Sequence, residues 1–303
     1  MKMNFPLSPR RSVISGIVML GMSLLSIVPV AAQGTLVSDF GISHFAVSPF
    51  YWPIGITFDG HNLWYSDPSD NTSGIFHVST KGSLLGNLSL IFPTADGALA
   101  WDGTNLWVGS FSGGSTQATF DPYVFQVSTA NGGTVLKSLN LTSIFAVDGE
   151  CGTIDGLSFD PSTGTLWVSP DVGCLPFPNV CTQGFAYNID TNGNLIRKIQ
   201  FGFGVSGVAV ANGSLYVVDR CDPTHGTRGF SLIDKVDMNG NVLSSFPITQ
   251  LGLNSWAESI AFDPTTFSTC VIWAMQPYNT KAQFINSGSF HHAEAAAYSI
   301  PCA

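Results

Sequence analysis

The sequence predicts an all-β fold, a closed ring of repeated four-stranded units, and three observations predict it. One phrase recurs along the chain: "GITFDGHNLWYSD" at 55 to 67, "ALAWDGTNLWVGS" at 98 to 110 and "GLSFDPSTGTLWVSPD" at 156 to 171. Composition agrees, because 32 Gly in 303 residues and only 10% charged residues suit many short strands joined by turns. Beyond the first 32 residues, no stretch carries the apolar period of a helix.

The units align on the Asp that ends the first strand of each copy. The anchors are Asp59, Asp102, Asp160 and Asp263, with Ala211 in the fourth copy, at steps of 43, 58, 51 and 52 residues. Before each anchor runs an apolar alternation: Ile56-Thr57-Phe58, Leu99-Ala100-Trp101, Leu157-Ser158-Phe159, Val208-Ala209-Val210 and Ile260-Ala261-Phe262. After it come a turn and a second strand carrying Trp64, Trp107, Trp167, Tyr216 or Trp273, a column that reads as packing between adjacent sheets.

A third strand and a hairpin follow, most clearly in "FHVSTKGSLL", "YNIDTNGNLI" and "DKVDMNGNVL". Asn192-Gly193 and Asn239-Gly240 are expected to form two-residue turns with positive φ. Each unit is therefore a four-stranded meander that cannot bury both faces alone. Stacking such meanders radially gives a β-propeller. The fifth unit supplies only three strands before "AAAYSIPCA" ends the chain, while "GTLVSDFGIS" at 34 to 43 precedes the first unit as an orphan strand. Pairing the two closes the ring and removes its open edges. Five blades result, or six if a long insertion hides a degenerate unit.

The first 32 residues read as a secretory signal peptide: basic residues, an apolar run and the small residues Ala31-Ala32. Residues 33 to 303 then form one propeller domain, secreted or extracytoplasmic, monomeric and free of the membrane after cleavage. Arg10-Arg11 loosely suggests twin-arginine export, and Asn71, Asn87, Asn140 and Asn212 stand in glycosylation sequons. A net charge of −9, more acidic once the basic leader is removed, argues against nucleic acid or an anionic membrane as partner.

Six cysteines in an exported chain favour disulfides. Cys270 opens the second strand of the last blade and Cys302 follows its third, so antiparallel pairing sets them side by side. Cys151, Cys174, Cys181 and Cys221 allow three pairings. Cys151–Cys174 with Cys181–Cys221 is favoured over Cys174–Cys181 with Cys151–Cys221.

Function is expected where long loops meet the starts of the inner strands, at 67 to 74, 110 to 122, 169 to 184, 219 to 229 and 276 to 294. Asp96, Asp155, Ser206 and Glu258 start inner strands and should ring the channel mouth, with Asp67, Asp171 and Asp219 at the ends of second strands nearby. Converging carboxylates suit a divalent cation, Ca²⁺, Mg²⁺ or Mn²⁺. Asp155, Glu258 and the loop residue His225 are the candidates for acid–base work. Trp52, Trp256 and Arg220, with the flanking acids, suit a small molecule, glycan or peptide whose apolar face stacks on rings. No GxSxG, HExxH, P-loop or CxxC pattern occurs.

The repeat phrases resemble those of the NHL, SMP-30/gluconolactonase and streptogramin-lyase-like propellers. The resemblance implies a propeller with its site at one mouth of the channel, and a metal carried by an acid at an inner-strand start, where Asp155 and Glu258 match best. The streptogramin lyases build a magnesium site from histidines and an acid, whereas the inner strands here carry no histidine. A binding propeller therefore ranks ahead of a metal-dependent hydrolase or lyase.

Overall fold

A computed structural model describes residues 32–42, 53–68, 74–89, 95–111, 122–130, 132–150, 152–171, 182–220, 231–249, 256–278 and 292–302. The segment expected to be a signal peptide lies outside them except for Ala32. So do Cys151, Cys174, Cys181, Cys221, Trp52 and His225.

Among the described residues β1 (Leu36–Gly41) comes first and four complete meanders follow. They are β2 (Ile56–Phe58), β3 (Leu63–Asp67), β4 (Gly74–Val78) and β5 (Leu84–Ser89), then β6 (Ala95–Trp101), β7 (Leu106–Phe111), β8 (Tyr123–Ser128) and β9 (Thr134–Asn140). After one helical turn, α1 (Thr142–Phe145), come β10 (Ile154–Asp160), β11 (Thr165–Pro170), β12 (Gly184–Ile189) and β13 (Leu195–Phe201). The fourth blade is β14 (Val205–Ala211), β15 (Ser214–Asp219), β16 (Leu232–Val236) and β17 (Val242–Pro247). The last blade, β18 (Ile260–Asp263), β19 (Cys270–Tyr278) and β20 (His292–Ile300), is completed by β1, which runs antiparallel to β20 from Leu36 opposite Tyr298 to Gly41 opposite Glu294. The inner strands β2, β6, β10, β14 and β18 touch in cyclic order, so the five sheets form the closed ring that the repeats predict.

Each recurring phrase is a self-contained clasp. Asp102 accepts the backbone N–H groups of Thr104 and Asn105 on Oδ1, which shapes the turn, and the indole N–H of Trp107 on Oδ2 at 2.9 Å. Asp59 holds Trp64 in the same way, and Asp263 holds Trp273. Burying an indole therefore leaves no unpaired donor. In the third blade Ser162 and Thr163 occupy the Asp160 carboxylate instead, and the fourth has Ala211 with Tyr216.

The core is divided into five layers, one between each pair of neighbouring blades. Each aromatic of the column sits in a different layer: Trp64, Trp107, Trp167, Tyr216 and Trp273. At the axis the inner strands approach closely because they carry glycine. A Cβ on Gly55 would stand 2.5 Å from the Gly97 carbonyl oxygen, and one on Gly156 would stand 2.6 Å from that of Ser206. Serines staple blade to blade at the same level: Ser110 donates to the Gly152 carbonyl at 3.0 Å, Ser206 to that of Ala257 at 3.1 Å, and Ser66 and Ser169 to Gly97 and Ser206.

Two details differ from expectation. Asn192 and Asn239 do not have positive φ; only Gly193 (88°) and Gly240 (86°) do. There, Asp190 and Asp237 cap longer turns, and a bulge follows as Ile189 faces Leu195 and Val236 faces Val242. The two-residue turn with both φ positive is Asn212-Gly213, 51° and 72°, between Ala211 and its partner Ser214. The Cys270–Cys302 disulfide does form, with Cα atoms 5.0 Å apart, and Cys270 pairs with Ile300 in the sheet.

Candidate functional site

Four sequence-predicted residues meet at one place on the channel mouth. Asp155 is the second residue of β10 and Asp171 follows β11, so both belong to the third blade. Arg220 follows β15 of the fourth, and Glu258 lies two residues before β18 of the fifth. Backbone bonds fix these strand ends: Asp171 N–H donates to the Thr153 carbonyl, Arg220 N–H to Gly204 and Glu258 N–H to Met275.

The Arg220 guanidinium spans all three blades through Nη1. It stands 3.1 Å from Asp171 Oδ1, 3.3 Å from Glu258 Oε2 and 3.5 Å from Asp155 Oδ2. Its plane lies over the Trp256 ring, 4.8 Å from the centroid, and the indole N–H of Trp256 donates to Glu258 Oε1. The Asp155 and Glu258 side chains are each 2% exposed, against 17% for Arg220 and 14% for Asp171. The acids are thus roofed by the cation that neutralises them.

This crowding shifts the titrations. Burial first, then the charges of Asp171 and Glu258, push the Asp155 carboxyl well above the usual carboxylate range, against the pull of Arg220. Burial works against the charge of Arg220, but Glu258, Asp171 and Asp155 outweigh it and hold the guanidinium more firmly protonated than usual. The cluster therefore pairs a buried acid that holds its proton more tightly than usual with an arginine held more firmly charged.

Other predicted residues take separate places in the blades. Asp67 and Asp219 are buried at the ends of β3 and β15, and burial followed by the Asp67 charge drives the Tyr65 phenol upward. Asp96 lies in β6 opposite Ser110. Ser206 is buried within the inter-blade staple.

The sequence reasoning passed over Glu150. Among the described residues, neither of its buried carboxylate oxygens has a hydrogen-bond partner. Burial, then Asp148 and Asp171, raise it to about 7. Its signal in the sequence is the acidic pair in "DGEC" immediately before a predicted inner strand.

Three acids held on one guanidinium make a poor cation cage, because the positive charge and the nearest lone pairs are already committed. Among the described residues, no group of three or more His, Cys, Asp or Glu side chains is set to hold a metal ion.

No protein-family model and no curated protein sequence matches the chain. Among solved structures it is similar to the glutaminyl cyclase of Myxococcus xanthus, with TM-score 0.54 and 13% identity over 88% of this chain and 97% of that one. It also matches hydrazine synthase of Kuenenia stuttgartiensis, with TM-score 0.45 and 18% identity over 82% of this chain and 60% of that one. At such identities the first likeness is one of fold, the β-propeller.

Proposed function

We propose that this chain is an exported binding propeller that recognises a glycan or peptide at the mouth built around Arg220. The carrying observation is the guanidinium stacked on Trp256 and shared by carboxylates from two other blades, at 3.1 to 3.5 Å. Such a constellation is rigid and aromatic, and its acids outnumber its single cation. It suits hydroxyl and ammonium donors and repels a ligand carboxylate. Export is supported by the Cys270–Cys302 disulfide, and no helix among the described residues is long and apolar enough to cross a membrane.

The second reading is a hydrolase or lyase of the SMP-30 or streptogramin-lyase kind. Asp155 favours it, because a buried carboxyl whose proton affinity is raised by neighbouring acids suits a general acid. The cation of that reading would have to displace Arg220 from Asp155 and Glu258.

Glycan and peptide arrays, with calorimetry on the hits, test the proposal. Trp256→Ala and Glu258→Gln should each weaken a genuine ligand by roughly tenfold or more, the loss expected of an anchor residue. Ligands that bind both variants like the parent would move the site elsewhere. Turnover of a bound ligand that is lost in Asp155→Asn would establish the second reading.

A further inference from the structure

The opposite opening of the channel is a cavity of about 560 Å³ formed by the last residues of all five inner strands and the turns that follow. The residue just before each repeat anchor lines it: Phe58, Trp101, Phe159, Val210 and Phe262. One side of each packs into a different inter-blade layer, and all but Phe58 keep intermediate exposure. Four aromatic rings thus surround one opening with pseudo-fivefold regularity. Core packing occupies one side of each residue, and the other side is left to line the cavity.

The rim has one sign of charge. Asp59, Asp102 and Asp160 line the cavity, and none of the described lining residues is Lys, Arg or His. Indoles and turn N–H groups fix Asp59 and Asp102, and Ser162 and Thr163 fix Asp160; behind the rim His77 Nε2 stands 3.1 Å from Asp59 Oδ2. Burial works against the Asp160 charge, but hydrogen bonds from Ser162 and Thr163 more than offset it and hold its carboxyl below the usual range. The volume matches a small organic ligand. Aromatic faces within a ring of fixed anions attract a cation that carries apolar bulk.

We propose that this opening binds an organic cation, a quaternary or protonated amine on a hydrocarbon or aryl body, independently of the mouth at Arg220. The repeat phrase then has two uses: its Asp clasps the blade, and the residue before it furnishes the cage.

Calorimetry with benzyltrimethylammonium as probe, and neopentylbenzene as its neutral isostere, tests this. One-to-one binding of the cation is expected, with the neutral compound at least about threefold weaker. Trp101→Leu and Phe159→Leu keep apolar bulk but remove a ring; each should weaken the cation about threefold to thirtyfold while circular dichroism stays unchanged. Trp256→Ala, at the other mouth, should bind the probe like the parent. Absent heat, equal affinity for the neutral isostere, or loss in Trp256→Ala without loss in the other two variants would each overturn the proposal.

Discussion

Asp102 accepts four hydrogen bonds: two from backbone N–H groups of its turn, one from the Trp107 indole and one from Gln126. Replacing it by Ala strands a buried indole donor and uncaps the turn. Asp102→Ala should therefore cost about 2–3 kcal/mol in urea unfolding. Asp102→Asn should fall between, since its amide offers one oxygen and sets an NH₂ against the indole. A cost below about 0.5 kcal/mol for Ala would mean that the clasp is ornamental.

The mouth makes a sharper prediction. Burial and the neighbouring acids raise the Asp155 carboxyl well above the usual range, so Asp155→Asn, which mimics the protonated form, should cost less stability than loss of the cation. Arg220→Met leaves Asp171 and the buried Glu258 without their shared cation and should cost about 3–5 kcal/mol. The reverse order, read by chemical denaturation, would contradict the assignment of charge. The acids were legible because the repeat marks where each inner strand begins. Their convergence on Arg220 was not, since its acidic partners Asp171 and Asp155 lie 49 and 65 residues away on another blade.

At the scale of elements, closure rests on β1 against β20. Glu294 of β20 and Asp39 of β1 meet across this seam. Burial first, then the hydrogen bond and charge of Asp39, raise Glu294 from 4.5 to about 7. A raised carboxyl binds its proton more tightly when folded. Its contribution is thus fully present below about pH 4.5 and is lost as pH rises to about 7. Unfolding midpoints should therefore fall across that window, and Glu294→Gln should flatten part of the fall; an unchanged slope would acquit this pair. The Cys270–Cys302 bond pins the same blade across a separation of 32 residues, and Cys302→Ser should cost about 2–4 kcal/mol. Both features could be read from the sequence, because an orphan strand and a three-stranded last unit have one simple solution. The hairpins could not be assigned from Asn-Gly alone. Asp190 and Asp237 cap turns that end in a bulge, and the short turn fell at Asn212-Gly213.

For the whole molecule, five similar sheets enclose one axis with two chemically distinct ends: an acid–arginine cluster at the inner-strand starts and an aromatic ring at their finishes. Arg220 supplies the positive charge of the mouth. Titration of chelator-treated protein with Ca²⁺, Mg²⁺ and Mn²⁺, beside Glu258→Gln, should therefore find no stoichiometric cation that depends on Glu258. One tightly held cation, present in the parent and lost in Glu258→Gln, would contradict this role of Arg220.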